Sequence, residues 1–212
     1  MRLRIESNHK ISNKSEVIKI LIKEMNKPAL LIIDMLNDSF LSGQLMAKRA
    51  ELCDSINKLL HFARENQFHI LWVRQEFKAD LSDAFLEMRD ENINMYIEGT
   101  FGSKILEELQ QRGDEREIIK KRYSAFFHTE LDDLLKRLNP SFLVLAGVNT
   151  HACIRTAAID AYQLDYRVQI ISDCVASPDK RHHDVTLDYL DFRDWCWRCG
   201  KKVALRRSNS CY

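Results

Sequence analysis

Short runs of consecutive apolar residues recur along the chain: Ala29 to Ile33, His69 to Val73, Glu117 to Lys120, Phe142 to Val148 and Arg167 to Ser172. Between them the apolar positions spread out to helical spacing. Leu52, Ile56, Leu59, Leu60 and Ala63 share one helical face, as do Leu131, Leu134, Leu135 and Leu138. Strands that are apolar on consecutive residues must be covered on both faces, which a parallel sheet with crossover helices provides. The pattern therefore predicts a doubly wound α/β domain, a three-layer α/β/α arrangement around a mostly parallel sheet of five or six strands.

The flanks and one long connection stand apart from this rhythm. Near the start, Ser15 is placed to cap a helix with Ile18, Leu21, Ile22 and Met25 on one face, stopped by Pro28. The segment from Lys78 to Phe101 is long for a crossover and suggests a lid or a partner contact. The expected organisation is an appended helix in residues 1–27, the α/β domain over 28–190, and an atypical tail over 191–212. That tail holds Cys196, Cys199 and Cys211 together with Trp195 and Trp197, and it is markedly basic. Cys196 and Cys199 make a CxxC, but a redox pair should follow a strand and open a helix, and zinc would need a fourth ligand, so we read the tail as having no metal or redox site.

Composition narrows the partners. The 32 Lys plus Arg and 31 Asp plus Glu nearly cancel, so no strong overall field draws this chain toward nucleic acid or an anionic membrane. The 212 residues contain only 6 Gly and 3 Pro, which speaks against a glycine-rich phosphate cradle, and neither GxGxxG nor GxxxxGK[ST] occurs. No apolar run approaches the length of a membrane span, and the mean hydropathy is −0.34. The opening residues MRLRIESNHK lack an apolar signal core, from which we expect a cytoplasmic location and free thiols.

In an open parallel sheet the ligand crevice lies beyond the carboxyl ends of the strands. Three reactive side chains fall there. Asp34 follows the Leu30 to Ile33 run, Lys120 ends Glu117-Ile118-Ile119, and Cys153 lies just past Leu143 to Val148, where a helix begins. Singly, each has an ordinary explanation: a turn cap, a solvated member of Lys120-Lys121-Arg122, and a buried thiol. Together they offer a nucleophile, a carboxylate to accept its proton and an ammonium to keep that carboxylate charged. A helix terminus next to Cys153 should lower its pKa. His151 is two residues from Cys153, too close along a helix entry to face it. His182 and His183 read as a solvated helix start, and Cys53 and Cys174 as buried, inert thiols.

The segments IIDMLNDSF, IIKKRYSAFFHTEL and LAGVNTHACIRTAAIDAY resemble, in that order, the three signature segments of the isochorismatase-like cysteine hydrolases. The likeness runs from about Pro28 to Leu190. The resemblance implies that Asp34 is the general base, Lys120 the triad lysine and Cys153 the nucleophile. Lys120 is chosen over Lys121 because it stands four places before Ser124. It further implies an oxyanion hole from the backbone amides of Asn149 and Cys153, a cis peptide between Val148 and Asn149, no cofactor, and a homo-oligomer, dimer or tetramer.

Departures from the family pattern bear on substrate. Where nicotinamidases of the family carry metal-binding histidines, this chain has Arg74-Gln75-Glu76-Phe77, so metal-assisted nicotinamide hydrolysis is not expected. Leu36 stands in place of a glutamine, and Ser39 looks like an extra residue before Phe40. Arg74 and Glu76 are candidates to meet a polar substrate, and Phe40, Tyr123 and Phe127 to line an apolar wall. The retained cysteine favours cleavage of the C–N bond of a small amide or ureido compound. Vinyl ether hydrolysis of the isochorismatase type and a catalytically silent binding or scaffold role are the alternatives.

Overall fold

The computed structural model describes residues 26–41, 43–191 and 196–197, so the expected N-terminal helix and most of the tail, including Cys199 and Cys211, lie outside the described residues. The five apolar runs form strands β1 (Ala29–Ile33), β2 (His69–Gln75), β3 (Arg116–Lys120), β4 (Leu143–Val148) and β5 (Val168–Ala176). A two-residue strand from the tail, β6 (Cys196–Trp197), adds to the edge. Every pairing is parallel, and the strand order is β3-β2-β1-β4-β5-β6. The helices are α1 (Gly43–Glu65), α2 (Leu86–Asp90), α3 (Leu131–Leu138), α4 (Arg155–Gln163) and α5 (Lys180–Asp191).

Strand alternation sorts the core into two layers. Ala29, Leu31 and Ile33 face Leu134 and Leu135 of α3, Ala157 and Ala161 of α4, and Leu187 and Leu190 of α5. Leu30 and Ile32 face the other way, toward Leu52, Ile56, Leu60 and Ala63 of α1. β1 is thus buried on both sides, none of its residues more than 1% exposed. This is the doubly wound three-layer architecture that the apolar runs predict. Among the described residues no helix is long and apolar enough to cross a membrane.

The strand order reverses between β1 and β4, and in such sheets the crevice for a ligand opens at that switch point. β1 and β4 approach closely there because position 147 has no side chain. A Cβ on Gly147 would come within 2.0 Å of the Ile33 carbonyl oxygen, and its φ of +116° suits glycine. β4 then leads through a cis Val148–Asn149 peptide into a π-helical turn, Thr150–Ile154, that continues as α4.

The long connection after β2 has a small core of its own. Phe77, Leu81, Ala84 and Met88 pack with Phe85, Ile93, Met95, Tyr96 and Ile97. It is tied back to the β1 end by Asp38, whose Oδ2 accepts from the Tyr96 backbone N–H at 2.6 Å. Gly102 leaves room for that carboxylate, since a Cβ there would lie 2.2 Å from it. The segment read as a lid or partner contact is a packed wall over the carboxyl ends of the strands.

Candidate active site

Three strand ends deliver three side chains to one point. Asp34 leaves β1 in the left-handed region, φ 53°, an uncommon conformation for a residue with a side chain. Its N–H is held by the Val73 carbonyl at 2.8 Å, and its Oδ1 accepts from the Gln75 backbone N–H at 2.9 Å. Its Oδ2 is 2.8 Å from Lys120 Nζ at the end of β3. Lys120 is wholly buried, and its ammonium also donates to Gln75 Oε1 at 2.9 Å, to the Arg122 carbonyl at 3.1 Å and to Cys153 Sγ at 3.6 Å. Burial alone would lower the lysine pKa. The adjoining carboxylate and sulfur outweigh it and hold the ammonium above its ordinary value.

Cys153 occupies the π-helical turn at the mouth of α4 and is only 5% exposed. Its thiol is pushed up to about 12, first by burial and next by the Asp34 carboxylate, while Lys120 and the backbone N–H of Asn149 pull the other way. This corrects the expectation of a thiol made acidic by a helix terminus. Removing the sulfur from water costs the thiolate more than the nearby ammonium and amide return, so these surroundings favour the neutral thiol. In the same turn, Asn149 O accepts from the N–H groups of Ala152 and Ile154, and the His151 N–H goes to Ser177 Oγ.

Asp34, Gln75, Asn149 and Cys153 form the polar floor of a cavity of about 430 Å³. Its walls come mostly from the connection after β2: Phe85, Leu86, Met88, Ile93, Met95 and Tyr96. Val148 and the half-exposed Tyr123 complete the apolar lining. Ser39 donates to the Asp34 carbonyl at 2.9 Å and lies 3.3 Å from the Tyr96 hydroxyl. Burial raises the Tyr96 phenol to about 12, with Asp34 and Cys153 adding to the shift. A larger hollow, about 720 Å³, opens at the opposite, amino end of the strands between Phe142, Tyr162 and Arg167. It has no nucleophile beside a base and carries no comparable chemistry.

Of the wall and substrate candidates, Tyr123 lines the reactive cavity and four others do not. Phe40 is 2% exposed because the 3-10 turn Asn37–Phe40 rotates it into the core beside α1. Arg74 and Glu76 flank Gln75 on β2 and therefore point away from it. Arg74 pairs with Glu76 and Glu117 at 2.6 Å each and borders a separate hollow of about 380 Å³. Phe127 is half-exposed, edge-on to His128, outside the cavity lining. His151 Nδ1 meets Ser177 Oγ at 2.8 Å. His183 is bonded to Thr150 Oγ1 at 2.9 Å and so belongs to the packing of α5 on the turn, rather than to a solvated helix start. Cys53 and Cys174 are buried in the core.

Sequence reasoning missed Gln75, Ser39, Tyr96 and the apolar wall. The signal for Gln75 was its place at a strand end between two charged residues. For the wall it was the unusual length of the connection. Beside Asp34 the side chains after β2 supply no imidazole, and among the described residues no group of three or more His, Cys, Asp or Glu could hold a metal ion. The donor set does not fit a catalytic metal.

A parallel sheet with this order, and a carboxylate, an ammonium and a thiol converging at its switch point, define a doubly wound hydrolase-like domain. The isochorismatase domain family matches residues 28–199, and the chain belongs to that family. It is similar to a probable inactive nicotinamidase of Arabidopsis thaliana, 32% identical over 78% of this chain and 88% of the relative. Among solved structures it is similar to an isochorismatase family protein from Desulfovibrio vulgaris, with a TM-score of 0.73 and 30% identity over 81% of this chain and 93% of that one. It is also similar to the pyrazinamidase/nicotinamidase of Streptococcus mutans, with a TM-score of 0.70 and 26% identity over 81% and 99%.

Proposed function

We propose that the chain is a cysteine amidohydrolase that cleaves the C–N bond of a small amide or ureido substrate through a thioester, with Asp34, Lys120 and Cys153 as its triad. The observation that carries this reading is the contact of one buried ammonium, Lys120, with both the Asp34 carboxylate at 2.8 Å and the Cys153 sulfur at 3.6 Å, beneath a cavity that Asp34 and Cys153 line. The name of the pyrazinamidase/nicotinamidase neighbour supports amide cleavage as the reaction class, and that of the Arabidopsis relative, a probable inactive nicotinamidase, keeps a silent binding role as the second reading.

Because burial and the Asp34 carboxylate favour the neutral thiol, its proton must leave as the sulfur attacks. Asp34 accepts that proton while Sγ forms a bond to the carbonyl carbon. Lys120 keeps Asp34 ionised before the transfer and offsets the negative charge that moves between carboxylate and sulfur. The backbone amides of Asn149 and Cys153 are the proposed donors to the oxyanion, whose charge is greatest in the tetrahedral state. Collapse of that state breaks the C–N bond, with Asp34 returning the proton to the leaving amine. Water, deprotonated by Asp34, then cleaves the thioester, releasing the acid and restoring the thiol.

The test is a panel of small amides, ureides and isochorismate against the wild-type chain and Cys153→Ala, with mass spectrometry of the quenched wild-type enzyme. Turnover of amides, an acyl adduct on Cys153 and its loss in the variant are expected. Turnover of isochorismate that survives Cys153→Ala would instead establish the vinyl ether reaction. Absence of turnover and of adducts across the panel would favour the silent binding role.

A further inference from the structure

We infer that the substrate of this cavity is an uncharged amide with an apolar acyl group, and that amides carrying a carboxylate are excluded; the inference rests on the amidohydrolase reading above. The cavity is lined beyond its polar floor by Phe85, Met88, Ile93, Met95, Tyr96 and Val148, and among the described residues no arginine, lysine or histidine lines it. Its charged side chains are both acidic: Asp34 at the floor, already paired with Lys120, and Glu87 at the exposed rim.

Four cations near the strand ends are committed elsewhere. Arg74 is held by Glu76 and Glu117 on the far side of β2. Lys121 pairs with Asp83 at 2.9 Å. Arg122 donates to the carbonyls of Asp83 and Lys121 and lies 5.2 Å over the ring of Phe85. Lys120 is fully buried, with Asp34, Gln75, Arg122 and Cys153 around its ammonium. A substrate carboxylate would lose its water among apolar side chains, meet no cation among the described lining residues and approach an acidic rim. A branched alkyl or aryl group of the same size meets only favourable burial there. Gln75, Ser39, Tyr96 and Asn149 put neutral polar groups in the same lining, and Asn149 Oδ1, buried without a hydrogen-bond partner among the described residues, remains to accept from the carboxamide.

The experiment compares shape-matched amides on the full chain: 4-methylpentanamide, which has an isopropyl group where succinamate has its carboxylate. We expect kcat/KM for the neutral amide to exceed that for succinamate by about 100-fold. Leu86→Arg, at a mouth position that is 64% exposed, should narrow the gap about tenfold by raising the succinamate value. A second readout needs no turnover. The ratio of Cys153 alkylation rates by iodoacetamide and iodoacetate, divided by the same ratio for N-acetylcysteine amide, should exceed about 10. Succinamate cleaved as fast as its neutral partner, or a normalised alkylation ratio near one, overturns the inference. If neither amide is cleaved while alkylation still favours iodoacetamide, the hydrolase reading fails and the assignment of the cavity to uncharged molecules stands.

Discussion

Two charged clusters lie side by side at the carboxyl ends of β2 and β3, and they differ in what their charges face. In one, Arg74 is clasped between Glu76 and Glu117, whose side chain is 38% exposed, so the cluster satisfies itself at the surface. In the other, Lys120 and Asp34 pair with side chains 0% and 7% exposed, and Lys120 also meets the Cys153 sulfur under a cavity that Asp34 and Cys153 line. A single residue step along β2 separates them, with Gln75 turned inward and Arg74 and Glu76 outward. The difference teaches that a charge at a strand end becomes a reactive group through low exposure and a third, titratable neighbour, whereas a closed set of opposite charges is architecture.

The contrast should be widest in catalysis. Cys153→Ala is expected to lower amide kcat/KM by about 10³-fold or more with folding intact by circular dichroism, whereas Arg74→Ala should leave it within about twofold. Comparable losses in the two variants would erase the distinction drawn here. In stability, Lys120→Met strands the Asp34 carboxylate without its partner and should cost about 3–5 kcal/mol in urea unfolding, while Arg74→Met, in a partly exposed cluster, should cost about 1 kcal/mol.

Gly147→Ala tests the switch point that brings the reactive group together. With a Cβ 2.0 Å from the Ile33 carbonyl and φ at +116°, the variant is expected to lose about 2–4 kcal/mol and to lose activity with it. The smallest effect is on pH dependence, and its sign differs between the clusters. Cys153, near 12 when folded against an ordinary 9.0, and Tyr96, near 12 against 10.0, hold protons that the unfolded chain releases. Their stabilisation is complete below about pH 9 and declines as pH rises toward 12. Glu117 is shifted down despite its partial burial, by Gln111 and Arg74, so its contribution is present above its ordinary 4.5 and declines as the solution becomes more acid. Melting temperatures of Cys153→Ala should therefore fall less steeply above pH 9, and those of Arg74→Ala less steeply below pH 4.5.

How far these features could be read in advance varied with how local their causes are. The apolar runs located β1 to its end residues, but β5 continues through Ser172 and Asp173 to Ala176, past the point where its apolar run stops. That extension depends on pairing with β4, whose register shifts between Leu145 and Gly147. Phe40 is close to Asp34 in sequence and remote from it in role, because one tight turn sends it into the α1 layer. Tyr96 is remote in sequence and sits by Asp34, since Asp38 captures its backbone N–H. The tail was expected to stand apart from the domain, and Cys196–Trp197 nonetheless pairs with β5.

The sequence by itself determined the alternation of strand and helix, the burial of the sheet on both faces and the arrival of Asp34, Lys120 and Cys153 at strand ends. Those follow from periodicity, which each short segment carries within itself. Tertiary structure decided which neighbour at a strand end faces the cavity, which residues of the long connection wall it, and that among the described residues no cation lines it. It also decided that the surroundings of Cys153 raise its pKa rather than lower it. Each of these depends on burial and on groups distant in the chain, because the free energy of a charge is set by everything around it rather than by its place in the sequence.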